Sequence, residues 1–223
     1  IVLTGIHTGH YLNNGYDLTD LINELSKIDD IKRIRISSIE VTELNDKFLD
    51  MLKNNDKVCD HLHIPLQAGS DEILKRMNRK YDLAYYEEKI KKIRSIRPDI
   101  SISTDIIVGF PYETEELFLN TLEFSKKIKF SKIHVFPYSV RVGTAAANME
   151  EQVDEVVKKM RVKRLMAVSH MLEVDYFNKF KDKELDILIE TCDNNVSEGH
   201  TSNYLLVSVP ENIKVGEIVR RKI

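Results

Sequence analysis

Short β-type runs alternate with longer amphipathic segments through the first 150 residues, and this alternation restricts the chain to few folds. Parallel strands need a crossover between them, usually a helix, so strand patterns that each precede a helical pattern predict a parallel sheet. The predicted fold class is therefore α/β, with the sheet either open or closed into a barrel. The five predicted strands cover residues 1–6, 32–39, 61–67, 100–108 and 132–136.

Local signals mark where the helices of this region begin and end. Asp17 is the expected N-cap of a helix that runs to Ile28, and Ser70 is the expected N-cap of a helix over 71–78. Pro98 closes a helix predicted over 83–96, because proline does not continue a helix. Further helices are predicted over 45–54 and 115–128, and segment 8–16 (TGHYLNNGY) is predicted as a loop.

The pattern changes class towards the C-terminus. Residues 151–183 show a loose helical stripe and are predicted as a connecting helix. From Glu184 onward the runs LDILIE, YLLVSVP and GEIVRRKI are β-type and separated by turn residues, which predicts a small β-barrel over 184–223. The domain boundaries expected are thus 1–150, 151–183 and 184–223. Five basic residues of the helix could contact RNA phosphates, but they would scatter around the helix and are therefore expected to be solvated: Lys158, Lys159, Arg161, Lys163 and Arg164.

Composition restricts the setting in which the chain works. The net charge of −3 gives no bulk attraction to nucleic acid, so any such binding must be local. No apolar run reaches the roughly 20 residues of a membrane span, and no signal pattern opens the chain, so a cytoplasmic protein without a membrane partner is expected. Cys59 and Cys192 lack ligand spacing and are expected to be isolated thiols. Because Ile1 opens directly on a strand pattern, a fragment of a longer protein is expected.

Two of the predicted strands carry polar residues along one face. A closed barrel normally fills its lumen with branched aliphatic side chains. Polar faces instead predict a lumen that holds a polar cofactor, with the solvent-exposed edge of an open sheet as the alternative. The residues concerned are His61, His63 and Gln67 of one strand and Ser101, Ser103 and Asp105 of the other.

Four polar groups near strand ends complement an α-amino acid joined to a nucleoside. The carboxylate of Asp105 can accept two hydrogen bonds from a ribose diol, and Gln67 could join it. Glu40 could receive an ammonium group and Arg79 a carboxylate, while Gly109 would let a planar ring approach the backbone. Taken singly, each could also be a solvated loop position, and alternation leaves the direction of Glu40 undecided.

The two histidines of the third strand raise the question of a metal. His61 and His63 lie two residues apart, a spacing that could ligate an ion, but no third ligand of suitable spacing accompanies them. They are therefore predicted to be structural, and no metal site is predicted.

Four motifs in combination carry a family resemblance over essentially the whole chain: RISSIE at 35–40, HLHIPLQAGSDEILKRMNRKY at 61–81, STDIIVGFPYETEE at 103–116 and YSVRVGTAAANM at 138–149. With them, the sequence resembles the radical S-adenosylmethionine (SAM) methylthiotransferases. GHTSNYLLVSV at 199–209 resembles the TRAM module, a small RNA-binding β-barrel. LTGIHTGHY at 3–11 is most similar to the branch that methylthiolates threonylcarbamoyladenosine beside the tRNA anticodon. Sibling branches act on isopentenyladenosine in tRNA or on an aspartate of a ribosomal protein.

The resemblance implies a partial TIM-type radical SAM barrel followed by a TRAM-like, OB-like barrel. It implies SAM as cofactor and two [4Fe–4S] clusters in the full-length protein, one of which cleaves SAM to a 5′-deoxyadenosyl radical while the other supports sulfur delivery. The CxxxCxxC cluster loop is absent from this chain, so the chain alone is expected to hold no cluster and to be inactive. Implied partners are the tRNA anticodon loop, a reducing electron donor and a sulfur donor of unknown identity.

The resemblance also suggests roles for individual residues. SAM contacts are expected from Glu40, Gln67, Arg79, Asp105, Gly109, Phe136 and Tyr138. RNA contacts are expected from His200, Asn203, Tyr204, Arg220 and Arg221, although residues 184–223 carry seven acidic and only four basic side chains. Tyr112 stands where the family motif has glycine, which matters only if that turn needs a positive φ. A hypothesis of another class is an RNA-binding or scaffold module with a vestigial barrel.

Overall fold

The computed structural model describes residues 1–223, the whole chain. Five parallel strands follow one another in sequence order and form one side of a barrel. The strands of this region are β1 Val2–Leu3, β2 Leu12–Asn13, β3 Tyr16–Asp17, β4 Arg35–Ile36, β5 His61–His63, β6 Ser101–Val108 and β7 Lys132–Pro137. β1 pairs with β4, β5 with β6, and β6 with β7. The Cys59 amide donates to the Ile34 carbonyl (2.9 Å) and thereby joins β4 to the segment that leads into β5.

Six helices connect and cover these strands. Their apolar faces pack on the outer face of the sheet, where Ile34, Leu62 and Ile102 are fully buried against helix residues such as Tyr86 and Phe118. The alternation that predicted a parallel α/β region is confirmed. The helices are α1 Leu18–Ser26, α2 Asp46–Asn54, α3 Asp71–Arg76, α4 Leu83–Ile96, α5 Glu115–Ile128 and α6 Glu155–Asn178.

The two predicted helix caps had different outcomes. Asp17 caps α1, since its Oδ1 accepts from the Asp20 amide (3.0 Å) while Asp20 Oδ2 accepts from the Asp17 amide (3.0 Å). Ser70 holds the predicted N-cap position of α3, but unlike Asp17 its side chain makes no capping hydrogen bond.

Segment 8–16 contains a small hairpin, so the prediction of a plain loop was wrong. β2 and β3 pair antiparallel around Asn14 and Gly15, whose φ angles are 50° and 84°. An Asn-Gly pair with two positive φ angles is the favoured two-residue hairpin turn, and the signal is present in the sequence.

Helix α6 is part of the barrel wall as well as a connection. Leu165 and Leu172 join the main core, and the Ser169 hydroxyl accepts from the Ile133 amide of β7 (3.0 Å). The expectation that its basic residues are all solvated was wrong for Lys158 and Arg161, whose side chains are only 3% and 4% exposed.

The C-terminal residues form a separate antiparallel sheet, which we call the β-module (residues 184–223). Its strands, in the spatial order β10-β9-β8-β11, enclose a small core of their own. β9 lies outside the three runs picked from the sequence; it follows a tight turn at Asn194 and Asn195, both with positive φ. The strands are β8 Glu184–Asp193, β9 Val196–Thr201, β10 Leu206–Val209 and β11 Ile218–Lys222.

The β-module contacts the barrel where the barrel strands begin, at their amino ends. The Arg33 guanidinium donates to the carbonyls of His200 (3.0 Å) and Asp186 (2.7 Å). The amide of Asp60, directly before β5, donates to the Ser202 hydroxyl (3.0 Å). Residues 202–205, between β9 and β10, thus close the lower end of the lumen; we call them the floor loop. No helix of the chain has both the length and the apolar character that crossing a membrane requires.

Candidate active site

The polar faces predicted for the third and fourth parallel strands meet inside the barrel. The Ser103 hydroxyl lies 2.9 Å from His61 Nε2 and 3.0 Å from His63 Nδ1. The alternating residues Leu62 and Ile102 point the other way, into the core under the helices. His61 and Ser103 are buried, which argues against the alternative of a solvent-exposed sheet edge.

A cavity of about 660 Å³ opens at the carboxyl ends of β5, β6 and β7. This is the end of a β/α barrel where ligands bind. Five of the seven predicted SAM contacts line it: Gln67, Arg79, Asp105, Phe136 and Tyr138. Apolar residues such as Ile107 and Phe110 complete one wall, so the cavity offers both an apolar surface and hydrogen-bonding groups.

Backbone hydrogen bonds lock Gln67 beside Asp105. The Gln67 amide donates to the Asp105 carbonyl (2.8 Å), and the Ile107 amide donates to the Gln67 carbonyl (2.8 Å). Gln67 adopts a left-handed conformation with φ of 72°, which costs an ordinary residue roughly 1–2 kcal/mol. Such strain often concentrates at functional sites.

The Asp105 side chain lines the cavity and is partly exposed, and its carboxylate contacts a histidine of the neighbouring strand. Its Oδ2 lies 3.3 Å from His63 Nε2. His134 of β7 completes a group of three side chains whose ligand atoms lie within 4.8 Å of one another, a set that could hold a metal ion. The set shares only His63 with the histidine pair considered from the sequence; Asp105 and His134 come from two neighbouring strands on which they pair in register.

The two charged groups assigned to the amino-acid end of SAM lie side by side. Arg79 Nη1 is 3.5 Å from Glu40 Oε1, and both side chains are about one third exposed. Arg79 lines the cavity, whereas Glu40 stands behind it, at the start of a short 3₁₀ helix. The Glu40 amide donates to Glu43 Oε2 (2.9 Å), which fixes this turn.

Gly109 lies in the turn after β6 rather than on the cavity surface. Its φ is 73°, and a Cβ added there would overlap the side chain of Lys158, so the turn needs glycine on both counts. Tyr112, three residues later, also has a positive φ of 67°. The glycine position of the family motif therefore does require a left-handed residue, and this chain meets it with tyrosine, whose ring lies 4.0 Å from the Arg76 guanidinium.

The same turn contains a buried ion pair that the sequence did not reveal. Glu113 Oε2 accepts from the Gly109 amide (2.6 Å) and from Arg161 Nη1 of α6 (2.8 Å). Burial raises the pKa of Glu113, while the Gly109 amide and Arg161 act in the opposite direction. Residues after β7 were also missed as cavity residues, although the motif YSVRVGTAAANM marked them: Ser139, Arg141, Thr144, Ala145, Ala146 and Met149.

Three of the five predicted RNA contacts pack against the barrel. Tyr204 is stacked between the rings of His61 and His200, with centroid distances of 4.4 and 4.5 Å. Asn203 is buried and donates to the Tyr176 hydroxyl (3.2 Å). Arg220 and Arg221 are on the surface of the β-module beside carboxylates, with Arg221 held by two hydrogen bonds to Glu211. An RNA role for these residues stays a prediction.

The family model of the Radical SAM superfamily matches residues 2–125, which include β1 to β6 and three of the five predicted SAM contacts that line the cavity, Gln67, Arg79 and Asp105. The chain belongs to the radical SAM superfamily. A solved structure has a similar fold: coproporphyrinogen III oxidase (HemN) of Escherichia coli, described as a radical SAM enzyme, aligns with a TM-score of 0.55 at 20% identity, covering 69% of this chain and 37% of that one. At this identity the likeness shows the fold alone, and it confirms the predicted partial barrel.

Curated relatives of this radical SAM chain align with it from end to end. It is 44% identical to the threonylcarbamoyladenosine tRNA methylthiotransferase MtaB of Bacillus subtilis, matching 100% of this chain and 51% of the relative. It is 39% identical to the tRNA-2-methylthio-N(6)-dimethylallyladenosine synthase of a Thermoanaerobacter species, matching 100% of this chain and 49% of the relative. The chain therefore spans about half the length of the curated relatives it matches.

Proposed function

We propose that this chain forms the SAM-binding part of a radical SAM tRNA methylthiotransferase that acts on threonylcarbamoyladenosine. The observation that carries the proposal is the cavity at the carboxyl ends of β5 to β7, where Gln67, Asp105 and Arg79 converge with the aromatic residues Phe136 and Tyr138. The groups suit the parts of SAM, which combines an adenine ring, a ribose diol and a charged amino acid.

Each end of the cofactor would meet a matching set of groups. The Asp105 carboxylate would accept hydrogen bonds from the ribose diol, and the side-chain amide of Gln67 would donate one to it. The backbone hydrogen bonds between the two segments hold these side chains at a fixed spacing. Arg79 would bind the carboxylate, and Glu40 beside it would bind the ammonium group. Phe136 and Tyr138 would cover the adenine ring.

The resemblance implies an iron–sulfur cluster, which would supply the electron for the cleavage of bound SAM. The cluster motif CxxxCxxC contributes three thiolates, whereas this chain has two cysteines, Cys59 and Cys192, which are unpaired. The residues of this chain therefore do not fit the cluster, and their part in the reaction is to bind and orient SAM.

Two observations support threonylcarbamoyladenosine as the target base. Identity over the whole chain is higher to the threonylcarbamoyladenosine enzyme than to the dimethylallyladenosine enzyme, 44% against 39%. The motif LTGIHTGHY, which resembles the same branch, begins at the last residue of β1. Its His10 lies 3.2 Å from Glu43, whose side chain accepts from the Glu40 amide. The motif thus contacts the wall behind Arg79.

Calorimetric titration of the chain with SAM tests the cofactor site. We expect Asp105→Asn and Arg79→Ala each to weaken binding by about tenfold or more, since each removes hydrogen bonds to a charged or polar part of the ligand. Lys75→Ala is the matched control, because Lys75 is exposed on the same helix as the cavity residue Arg76 but does not line the cavity. Unchanged affinity in both site variants would reject the site and favour a scaffold role.

A chimera tests the target base. This chain would replace the aligned half of the Bacillus subtilis relative in a strain that lacks that enzyme, and tRNA nucleosides would be measured by mass spectrometry. We expect the methylthio derivative of threonylcarbamoyladenosine to return. Formation of the dimethylallyladenosine product instead would show that the target assignment is wrong while leaving the SAM site standing.

A further inference from the structure

A continuous chain of polar contacts crosses the lumen from the floor loop to the cavity. His61 Nε2 lies 2.9 Å from the Ser103 hydroxyl, and the same hydroxyl lies 3.0 Å from His63 Nδ1. His63 Nε2 in turn lies 3.3 Å from Asp105 Oδ2. Four side chains from two neighbouring strands thus connect the bottom of the barrel to the carboxylate at its top.

The chemistry of the four groups fixes where the protons lie. A carboxylate only accepts, so His63 must carry a proton on Nε2, and in the neutral ring its Nδ1 is then an acceptor. The single Ser103 proton points to that Nδ1. Ser103 is therefore an acceptor towards His61, which must carry its own proton on Nε2. His61 Nδ1 is then a bare acceptor, which agrees with its being buried without a hydrogen-bond partner.

The lower end of this chain rests on the β-module. The Tyr204 ring of the floor loop lies between two histidine rings. Its centroid is 4.4 Å from that of His61 and 4.5 Å from that of His200. The Arg35 guanidinium lies 4.5 Å from the same tyrosine ring and also donates to the Thr201 carbonyl (3.2 Å). The His61 side chain is buried, so its contacts in this stack are shielded from solvent.

We propose that His61, Ser103 and His63 form a positioning relay that orients Asp105 for the cofactor and is itself held in place by Tyr204 of the β-module. The inference rests on the proposed contact between Asp105 and SAM. Because His63 engages Oδ2 of Asp105, which lines the cavity, Oδ1 would remain free to bind the cofactor. The relay makes Tyr204 part of the support of the cofactor site, in addition to any contact with RNA.

SAM affinity of matched variants tests the relay. Ser103→Ala removes the hydroxyl that joins the two histidines, and we expect the dissociation constant to rise by about five- to tenfold, as for the loss of one orienting hydrogen bond. Ser103→Thr keeps the hydroxyl and should restore binding. Ser101→Ala is the control, because Ser101 is a buried serine of the same strand face but bonds Ser131 (2.7 Å).

The tyrosine is tested in the same assay. Tyr204→Phe preserves the stack on His61 and should bind SAM as the wild type does, whereas Tyr204→Ala removes the stack and should bind it several-fold more weakly. Equal SAM affinity of the two tyrosine variants would show that the β-module does not support the relay.

Histidine nitrogen NMR gives a readout that does not depend on SAM. We expect both His61 and His63 to carry their proton on Nε2 in the wild type. In Ser103→Ala this preference should be lost at His61, whose Nε2 then has no acceptor, and kept at His63, whose Nε2 still faces Asp105. A His63 proton on Nδ1, or joint shifts of His63 and His134 when zinc alone is added, would overturn the relay. Wild-type affinity in Ser103→Ala together with weak binding in Asp105→Asn would also overturn it while leaving the proposed SAM site intact; no effect in either would reject both.

Discussion

Replacing Arg161 by methionine would leave the carboxylate of Glu113 buried without its cation. Glu113 and Arg161 side chains are 1% and 4% exposed, and their ion pair joins the turn after β6 to helix α6. Methionine has a similar length and keeps the apolar part of the arginine contact. The substitution therefore tests the charge rather than the packing.

The magnitude follows from what remains around Glu113. Its Oε2 keeps the Gly109 amide at 2.6 Å, but its Oε1 has no partner, and solvent does not reach it. Removing one member of a buried ion pair costs about 3–5 kcal/mol of folding free energy. For a chain of this size, that corresponds to a fall in the melting temperature of about 6–20 °C.

The folding free energy lost in Arg161→Met should depend on pH. Burial already raises the pKa of Glu113, and removal of Arg161 raises it further. An acid with a higher pKa in the folded than in the unfolded chain binds more protons when folded, so stability is retained below the unfolded pKa and is lost as the pH rises through the folded pKa. The stability difference between wild type and Arg161→Met should therefore be largest near about pH 8 and shrink towards about pH 5.

Urea unfolding followed by circular dichroism at both pH values measures this difference. Arg164→Met is the control: Arg164 also lies on α6 and pairs with Glu115, but its side chain is 35% exposed, so its loss should cost no more than about 1 kcal/mol. The double variant Glu113→Gln with Arg161→Met should recover much of the stability, because no unpaired charge remains. Equal losses for the two arginines, or a loss that does not shrink on acidification, would refute the reasoning.

Three further substitutions separate strain, packing and function. Gln67→Gly should raise stability by about 1 kcal/mol, because it relieves a φ of 72°, while it weakens SAM binding; reduced stability in a urea titration would argue against strain at this residue. Tyr112→Gly should be more stable than Tyr112→Ala by about 1 kcal/mol, since both lose the contact with Arg76 and only glycine relaxes the φ of 67°. Tyr176→Phe should cost about 1–3 kcal/mol and increase hydrogen exchange in the floor loop, because the Tyr176 hydroxyl donates to the Asp99 carbonyl (2.8 Å) and accepts from Asn203 (3.2 Å); unchanged exchange there would contradict this.

Much of the parallel region was predictable because its signals are local. The periodicity of α4 and α5 gave both helices with the correct bounds, and the side-chain alternation of β6 placed Ser103 and Asp105 on one face. One failure was local as well. The Asn-Gly pair at 14–15 is a hairpin signal, whereas segment 8–16 was predicted to be a loop.

The rest of the site depends on contacts between distant residues, which one sequence does not display. His134 joins His63 and Asp105 only through the strand register, and Arg161 meets Glu113 only because α6 folds back over the turn. A run of basic residues on a helix predicts solvated side chains, because one sequence does not show that a neighbouring helix and turn cover part of the run. The same applies to Tyr204, whose surroundings come from the barrel and not from its own module.

The floor loop has a consequence for how this protein can be recombined. A junction near residue 183, where the β-module begins, would separate Ser202 and Tyr204 from Asp60, Arg35 and His61, with which they are packed. Modules exchanged between relatives at that point would need matching partners on the barrel side. The unit of exchange is thus the barrel together with its β-module, and residues on the two sides of this contact should change together in evolution.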